Sequence, residues 1–281
     1  MPLRTAARKC PDAVFLPTDP ATYEEASACV IEVLRGFDAV VEVLGWDESF
    51  LGVQTDDPES FARQIQSAVR EATALECSVG IGDNTLRAKI ATGFAKPAGI
   101  FRLTQRNWFQ VMGDKPTTAL WGIGSRTAAK LATFGIHTVS DLAAADPTML
   151  AEHLGPVMGP WYVQLGRGVG RAHVEGAPYV PKSRSREITF QDDLTDPEQV
   201  RSEVVALARR VAADVASEGR PVVRVGVKVR FAPFWTQTRS AALPAPTTDA
   251  ESLTLGALDV LARFDLDRPV RLVGVRAEFA P

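Results

Sequence analysis

Two adjacent carboxylates, Asp47 and Glu48, and one lysine, Lys96, are the residues of this 281-residue chain whose types and surroundings point most directly to chemistry. The acids lie in VEVLGWDESFLGV (41–53), between two short β-rich runs. The lysine belongs to CSVGIGDNTLRAKIATGFAKPAGI (77–100), which reads as a strand, a helix opening at Asn84, and a stop at Pro97. Neighbouring residues of a strand point to opposite faces, so Asp47 and Glu48 share a site only at or beside the turn joining the two runs. Gly45 and the small Ser49 allow such a turn. Carboxylates offer hard oxygens to a divalent ion, and an ammonium is a point charge for phosphate; together they suit metal-assisted phosphoryl transfer. Taken alone, the acids also fit a solvated turn, and Lys96 a lysine complementing the dipole at a helix C-terminus. Lys89 and Arg87, inside the same helix, read as surface or packing residues.

Further along, TALWGIGSRTAAKLATFGIHTVSDLAAAD (118–146) has the pattern of a helix-hairpin-helix. Gly122 and Gly124 would let backbone N–H groups approach a phosphate closely, and Ser125 opens the next helix, whose N-terminus carries partial positive charge. Such contacts hold a DNA backbone without reading bases. A plain helical hairpin with glycine caps is the bland alternative. In VVRVGVKVRF (222–231) valines alternate with Arg224, Lys228 and Arg230, and KSRSREITF (182–190) sets Lys182, Arg184 and Arg186 on alternating positions. The expectation is one basic, solvated sheet face carrying all six against a single acid, Glu187, extended by Arg239 and Ser240 of the next strand. That face suits a phosphate backbone; arginines chosen for solubility are the alternative.

The elements that must position these groups follow from periodicity. Residues 21–37 read as a helix with Thr22 as N-cap, two strands flank WDES, and a helix runs from about Pro58 to Leu75. Strand 77–82 and helix 84–95 complete an α/β layer. From 104 to 175 the chain is helical and punctuated by glycine, and GAPYVP (176–181) reads as a linker. Beyond it the order is strand, helix, two strands, helix, strand, with helices near 198–218 and 250–264 covering the apolar sheet face. The net charge of −3 argues against a uniformly basic binder. Cys10, Cys29 and Cys77 lack metal-type spacing and read as reduced cytosolic thiols. No run approaches the ~18 apolar residues of a membrane helix, and no signal peptide opens the chain, so a cytoplasmic protein without membrane contact is expected.

In words and order these segments resemble the Y-family DNA polymerases of the DNA polymerase IV type over almost the whole chain. MPLRTAARKCPDAVFLPTD is similar to the end of the family's fingers, VLGWDESFLGV to its palm motif, and KSRSREITF to its first little-finger strand. The resemblance implies an α+β multidomain protein: a fingers remnant (1–18), a partial α/β palm (19–103), an all-α thumb with the helix-hairpin-helix (104–175), a linker (176–181) and a βαββαβ little finger (182–281). It implies error-prone synthesis past lesions, with two Mg²⁺ ions, primer–template DNA and deoxynucleoside triphosphates, by a monomer. Asp47 becomes a metal ligand, Glu48 the catalytic acidic partner, and Lys96 the triphosphate contact.

The chain departs from the family in three ways. The family's first strand, with its metal-binding aspartate, and a Tyr/Arg pair of the fingers would lie before Met1; an incomplete metal site, an unpaired sheet edge and an impaired enzyme are the expectation. Gly45-Trp46, Ser49 and Gly52 differ from the usual residues around the acidic pair. The chain also ends without the family's clamp-binding tail, so no clamp contact is assigned. The alternative reading is a non-catalytic DNA-binding remnant of such a polymerase; a helix-hairpin-helix nuclease lacks any carboxylate cluster beyond Asp47-Glu48.

Overall fold

The structure is a computed structural model that describes residues 3–280; Met1, Pro2 and Pro281, at the ends of the expected fingers remnant and little finger, lie outside it. The chain divides into two compact units, Met1–Pro178 and Tyr179–Pro281, with the division inside the segment expected to be a linker.

In the first unit a short helix α1 (Leu3–Lys9) precedes α2 (Pro20–Arg35). The N-cap of α2 is Asp19 and not Thr22: its carboxylate accepts from the Thr22 N–H at 3.3 Å and the Thr22 hydroxyl at 2.8 Å. Pro20 at the first helical position, which needs no N–H partner, sets the start two residues before the expected cap. The hairpin β1 (Val40–Gly45) and β2 (Glu48–Gly52) follows, then α3 (Pro58–Thr73), β3 (Val79–Gly82), α4 (Thr85–Ala95) and β4 (Ile100–Leu103). Strand β4, which lay outside the expected elements, pairs parallel with β3. At four residues it carries too little alternation to stand out.

These four strands do not form one ladder. The β1–β2 hairpin and the β3–β4 pair are separate two-stranded sheets. Both rest on the same helices, because Val41, Leu51 and Val79 pack on Leu34 of α2 and Ile65 and Val69 of α3. Helix α4 covers the other face of β3. A Cβ at Gly80 would lie 2.2 Å from the Ala88 carbonyl oxygen, and one at Gly82 2.4 Å from the Ala88 nitrogen, so the helix backbone sits directly on the strand.

The helical part comprises α5 (Trp108–Met112), α6 (Ser125–Ala132), α7 (Val139–Ala144), α8 (Pro147–Leu154) and α9 (Met158–Gly166). Its core of Trp108, Met112, Leu131, Val139, Leu142, Leu150 and Val163 is continuous with Leu86 and Ile90 of α4. The Trp108 indole donates to the Gly166 carbonyl at 2.8 Å, which satisfies both groups in a buried setting. After α9 the chain turns back as a strap. The Asn84 amide donates to the Gly168 carbonyl at 2.9 Å, Arg171 pairs with Glu42 at 2.6 Å, and the Glu175 N–H donates to Glu42 at 2.8 Å.

The second unit runs β5 (Ser183–Leu194), α10 (Pro197–Glu218), β6 (Val222–Phe231), β7 (Trp235–Thr247), α11 (Ala250–Leu261) and β8 (Val270–Phe279), the order expected from the sequence. The strands form an antiparallel sheet in the order β5-β8-β6-β7. Val225, Val227, Val229 and Phe231 of β6 and Val273, Val275 and Ala277 of β8 face the helices. There they meet Val204, Leu207 and Val211 of α10 and Leu253, Ala257 and Val260 of α11. The opposite face is open within this unit.

Candidate active site and nucleic-acid interface

Asp47 occupies the turn of the β1–β2 hairpin and is exposed, while Glu48 is the first residue of β2. A register shift between Val43 and Gly45 reshapes the strand entering the turn. Alternation along β2 puts Glu48 and Phe50 on one face and Leu51 on the other, against α2 and α3. Glu48 therefore faces the side of the layer on which α4 lies. Its carboxylate meets the Lys89 ammonium of α4. Lys89, read from sequence as a surface or packing residue, is thus the group that ties the acidic hairpin to the lysine-bearing helix. The spacing held a signal: Lys89 precedes Lys96 by seven residues, two helical turns, which places the two on one face. Lys96 is the C-cap of α4, exposed, with extended backbone. It stands about 10 Å along the helix from Lys89 at the usual rise per residue. Arg87 is a packing residue, buried with its guanidinium 2.7 Å from Asp83 and 5.6 Å from the centre of the Trp108 ring.

Among the described residues no group of three or more histidines, cysteines and acids is arranged to hold a metal ion. Asp47 and Glu48 are nevertheless hard oxygen donors of the kind magnesium takes, and magnesium commonly uses one or two carboxylates with water and substrate phosphates completing its shell. The pair fits that chemistry. Beside it, burial pushes the Glu42 carboxyl up, but hydrogen bonds from Arg171 and the Glu175 N–H outweigh burial and hold it below its ordinary value.

In the helix-hairpin-helix, Gly122 and Gly124 are exposed while Ile123 between them is buried, so one side chain anchors the hairpin between two exposed glycines. Gly122 has φ +101°, and a Cβ there would lie 3.1 Å from the Trp161 ring. Gly124 is the N-cap of α6, and no side chain caps that helix. Its first N–H groups have no side-chain cap, and a helix N-terminus of this kind suits an anion.

The sheet of the second unit corrects the expected basic face. Its open side carries Arg224, Lys228 and Arg230 of β6 with Ser240 of β7, by register opposite the core valines. Arg276 of β8 joins them, paired across to Gly226. Two acids lie there, not one: Glu278 sits 3.8 Å from Arg224 and 3.5 Å from Arg276, and Glu187 sits 2.6 Å from Lys228. Arg230 donates to the Thr236 hydroxyl at 2.9 Å, and Arg224 reaches Ser240 at 3.5 Å.

Arg184 and Arg186 are on the helix side, where Arg184 pairs with Glu218 and Arg186 makes two 2.7 Å bonds to Asp214 of α10. That guanidinium holds the Asp214 carboxyl below its ordinary value. Arg239 also lies on that side, bonded to the Arg263 carbonyl and 5.0 Å from the Phe264 ring centre. Lys182 is exposed just before β5, in step with Arg184. The missed signal was parity: Ile188 and Phe190 share the face of Arg184 and Arg186, and Phe190 packs on the core. Arg276 and Glu278 were legible in the same way, alternating with Val275, Ala277 and Phe279.

Comparison with known proteins agrees with this architecture. Residues 1–93 match the impB/mucB/samB family, and residues 181–279 match the impB/mucB/samB family C-terminal domain. The chain is 48% identical over 283 residues to "DNA polymerase IV 2" of Mycobacterium tuberculosis, covering 100% of this chain and 82% of that protein. It is 35% identical to "DNA polymerase IV 2" of Methanosarcina mazei, covering 98% and 75%. The solved structure titled "Y-family DNA polymerase chimera Dbh-Dpo4(243-245)-Dbh" superposes with a TM-score of 0.84 at 20% identity, covering 99% of this chain and 82% of that one. A shared fold, two family matches and close relatives spanning the whole length converge: the chain belongs to the Y-family DNA-directed DNA polymerases, of the DNA polymerase IV type.

Proposed function

We propose that this chain carries out Mg²⁺-dependent, template-directed DNA synthesis past damaged bases, with Asp47 and Glu48 holding the ions. The observation that carries this reading is the Glu48–Lys89 contact, which brings the acidic hairpin against the helix ending in Lys96. Bound ions would neutralise charge on the triphosphate and on the attacking primer hydroxyl. Glu48 and Asp47 supply the anionic ligands. Lys96, exposed at the end of α4, takes the tail of the triphosphate as a point charge. The N–H groups of the exposed Gly122 and Gly124 and of the start of α6 take backbone phosphates of primer–template DNA, while the Ile123 N–H is held by the Leu120 carbonyl at 3.1 Å. The open face of Arg224, Lys228, Arg230, Arg276 and Ser240 adds backbone contacts that do not depend on base identity, which suits a template carrying lesions.

No helix of the described residues is long and apolar enough to cross a membrane, and Cys10, Cys29 and Cys77 are free thiols. The proposed reading includes a monomer working in the cytoplasm.

A primer-extension assay on the 281-residue chain is the test. Glu48→Gln should lower Mg²⁺-dependent extension by about a thousandfold or more, the loss of several kcal/mol of charge stabilisation, while leaving DNA binding in place. Extension that persists in Glu48→Gln would remove Glu48 from the site. DNA binding by the parent without any extension would favour a non-catalytic binding role.

A further inference from the structure

We propose that Lys89 is the resident counter-ion of Glu48, so that a divalent ion enters this site only by exchange with an ammonium already filling it. The inference rests on the reading of Glu48 as a metal ligand and deepens it.

Lys89 lies in the middle of α4, and that helix is fixed by the direct seating of its backbone on Gly80 and Gly82 of β3. It cannot retire by a shift of the helix; only its four-carbon stem can move. The side chains of Lys89 and Glu48 are 23% and 41% exposed, so the pair is partly screened from water and its attraction exceeds that of a fully solvated pair. Two other charged groups of α4 and the hairpin are committed elsewhere. Arg87 is bound to Asp83, and Glu42 to Arg171. Among the described residues Glu48 is the acid Lys89 pairs with.

Asp47 and Glu48 concentrate two negative charges on one turn, and Lys89 offsets one of them. Removing that cation leaves a more negative site with a free carboxylate. A small, strongly hydrated ammonium on a flexible stem is also an exchangeable partner, whereas a guanidinium would grip the carboxylate through two bonds. Once displaced, the ammonium remains on the face of α4 that leads to Lys96, where it is a donor for a phosphate oxygen. Exchange thus keeps the idle protein weakly loaded and favours loading when phosphates arrive to receive the released cation.

Mn²⁺ binding to the full chain, without DNA or nucleotide, provides the test, with the free ion read by electron paramagnetic resonance. Lys89→Met and the polar Lys89→Gln should each tighten Mn²⁺ binding by about two- to fivefold, the range open to a partly exposed pair. Lys89→Arg should bind no more tightly than the parent. In a Glu48→Gln background Lys89→Met should change nothing. A residue that merely steadied α4 would lower the melting temperature without tightening Mn²⁺, and unchanged or weaker binding in both neutral variants overturns the proposal. If Glu48→Gln alone leaves Mn²⁺ binding as it was, the assignment of Glu48 as a metal ligand fails, and the exchange fails with it.

Discussion

Removing Arg224 and Lys228 together should flatten the salt dependence of DNA binding, whereas removing Arg184 and Arg186 should not. Each pair carries the same charge, so long-range attraction alone treats them alike. The structure separates them. Arg224 and Lys228 share the open sheet face with Arg230 and Arg276, against Glu187 and Glu278, which leaves that face net positive. Arg184 and Arg186 lie beneath the sheet, spent on Glu218 and Asp214. Each phosphate neutralised contributes about 0.9 to the slope of log affinity against log salt on duplex DNA, so losing two contacts lowers the slope by up to about 1.8. Over a fourfold rise in salt that is about a twelvefold smaller loss of affinity. Fluorescence anisotropy of a labelled primer–template between roughly 50 and 200 mM salt covers that range. Arg184→Ala with Arg186→Ala should keep the parent slope but melt earlier, because Asp214 and Glu218 lose their partners. If both double variants flatten the slope equally, the open face has no special role and the reasoning from register is refuted.

Gly122→Ala meets both a positive φ and the Trp161 ring, so it should cost about 1–3 kcal/mol and weaken DNA binding. Gly124→Ala, with nothing within 4 Å of the added Cβ, should melt like the parent; thermal melts of the two variants side by side decide this. Glu42 has a folded pKa below its ordinary value, so its contribution to stability is present above the unfolded pKa and is lost as pH falls through the folded one. Glu42→Gln should therefore flatten the decline of stability as pH falls below about 5, measured by urea unfolding; an unchanged acid limb would show that the Arg171–Glu42 pair adds nothing.

Much of this architecture was legible because it is written in short-range pattern. The 3.6-residue period of α3 and α10, the glycine and proline punctuation around Gly176, and the alternating valines of β6 each act within a dozen residues. What the pattern could not supply was partnership across the fold. Lys89 and Glu48 are 41 residues apart, and Arg186 and Asp214 are 28 apart. Alternation showed that Lys182, Arg184 and Arg186 share one side of β5 but not which side the helices cover. Ile188 and Phe190 hold that answer, because they share the face of Arg184 and Arg186 and Phe190 packs on the core. Asp19 shows a smaller version of the same limit: Thr22 and Asp19 are both good capping residues, and Pro20 decides between them.

The strap after α9 governs how much chain is free between the two units. Gly176 abuts Val40, and Glu175 is tied to Glu42, so the free leash toward Lys182 is short. The six residues from Ala177 to Lys182 include Pro178 and Pro181, whose fixed φ stiffens so short a tether, whereas release back to Gly168 would more than double its length. Glu42 and Arg171 thereby set the length of chain left free between the two units.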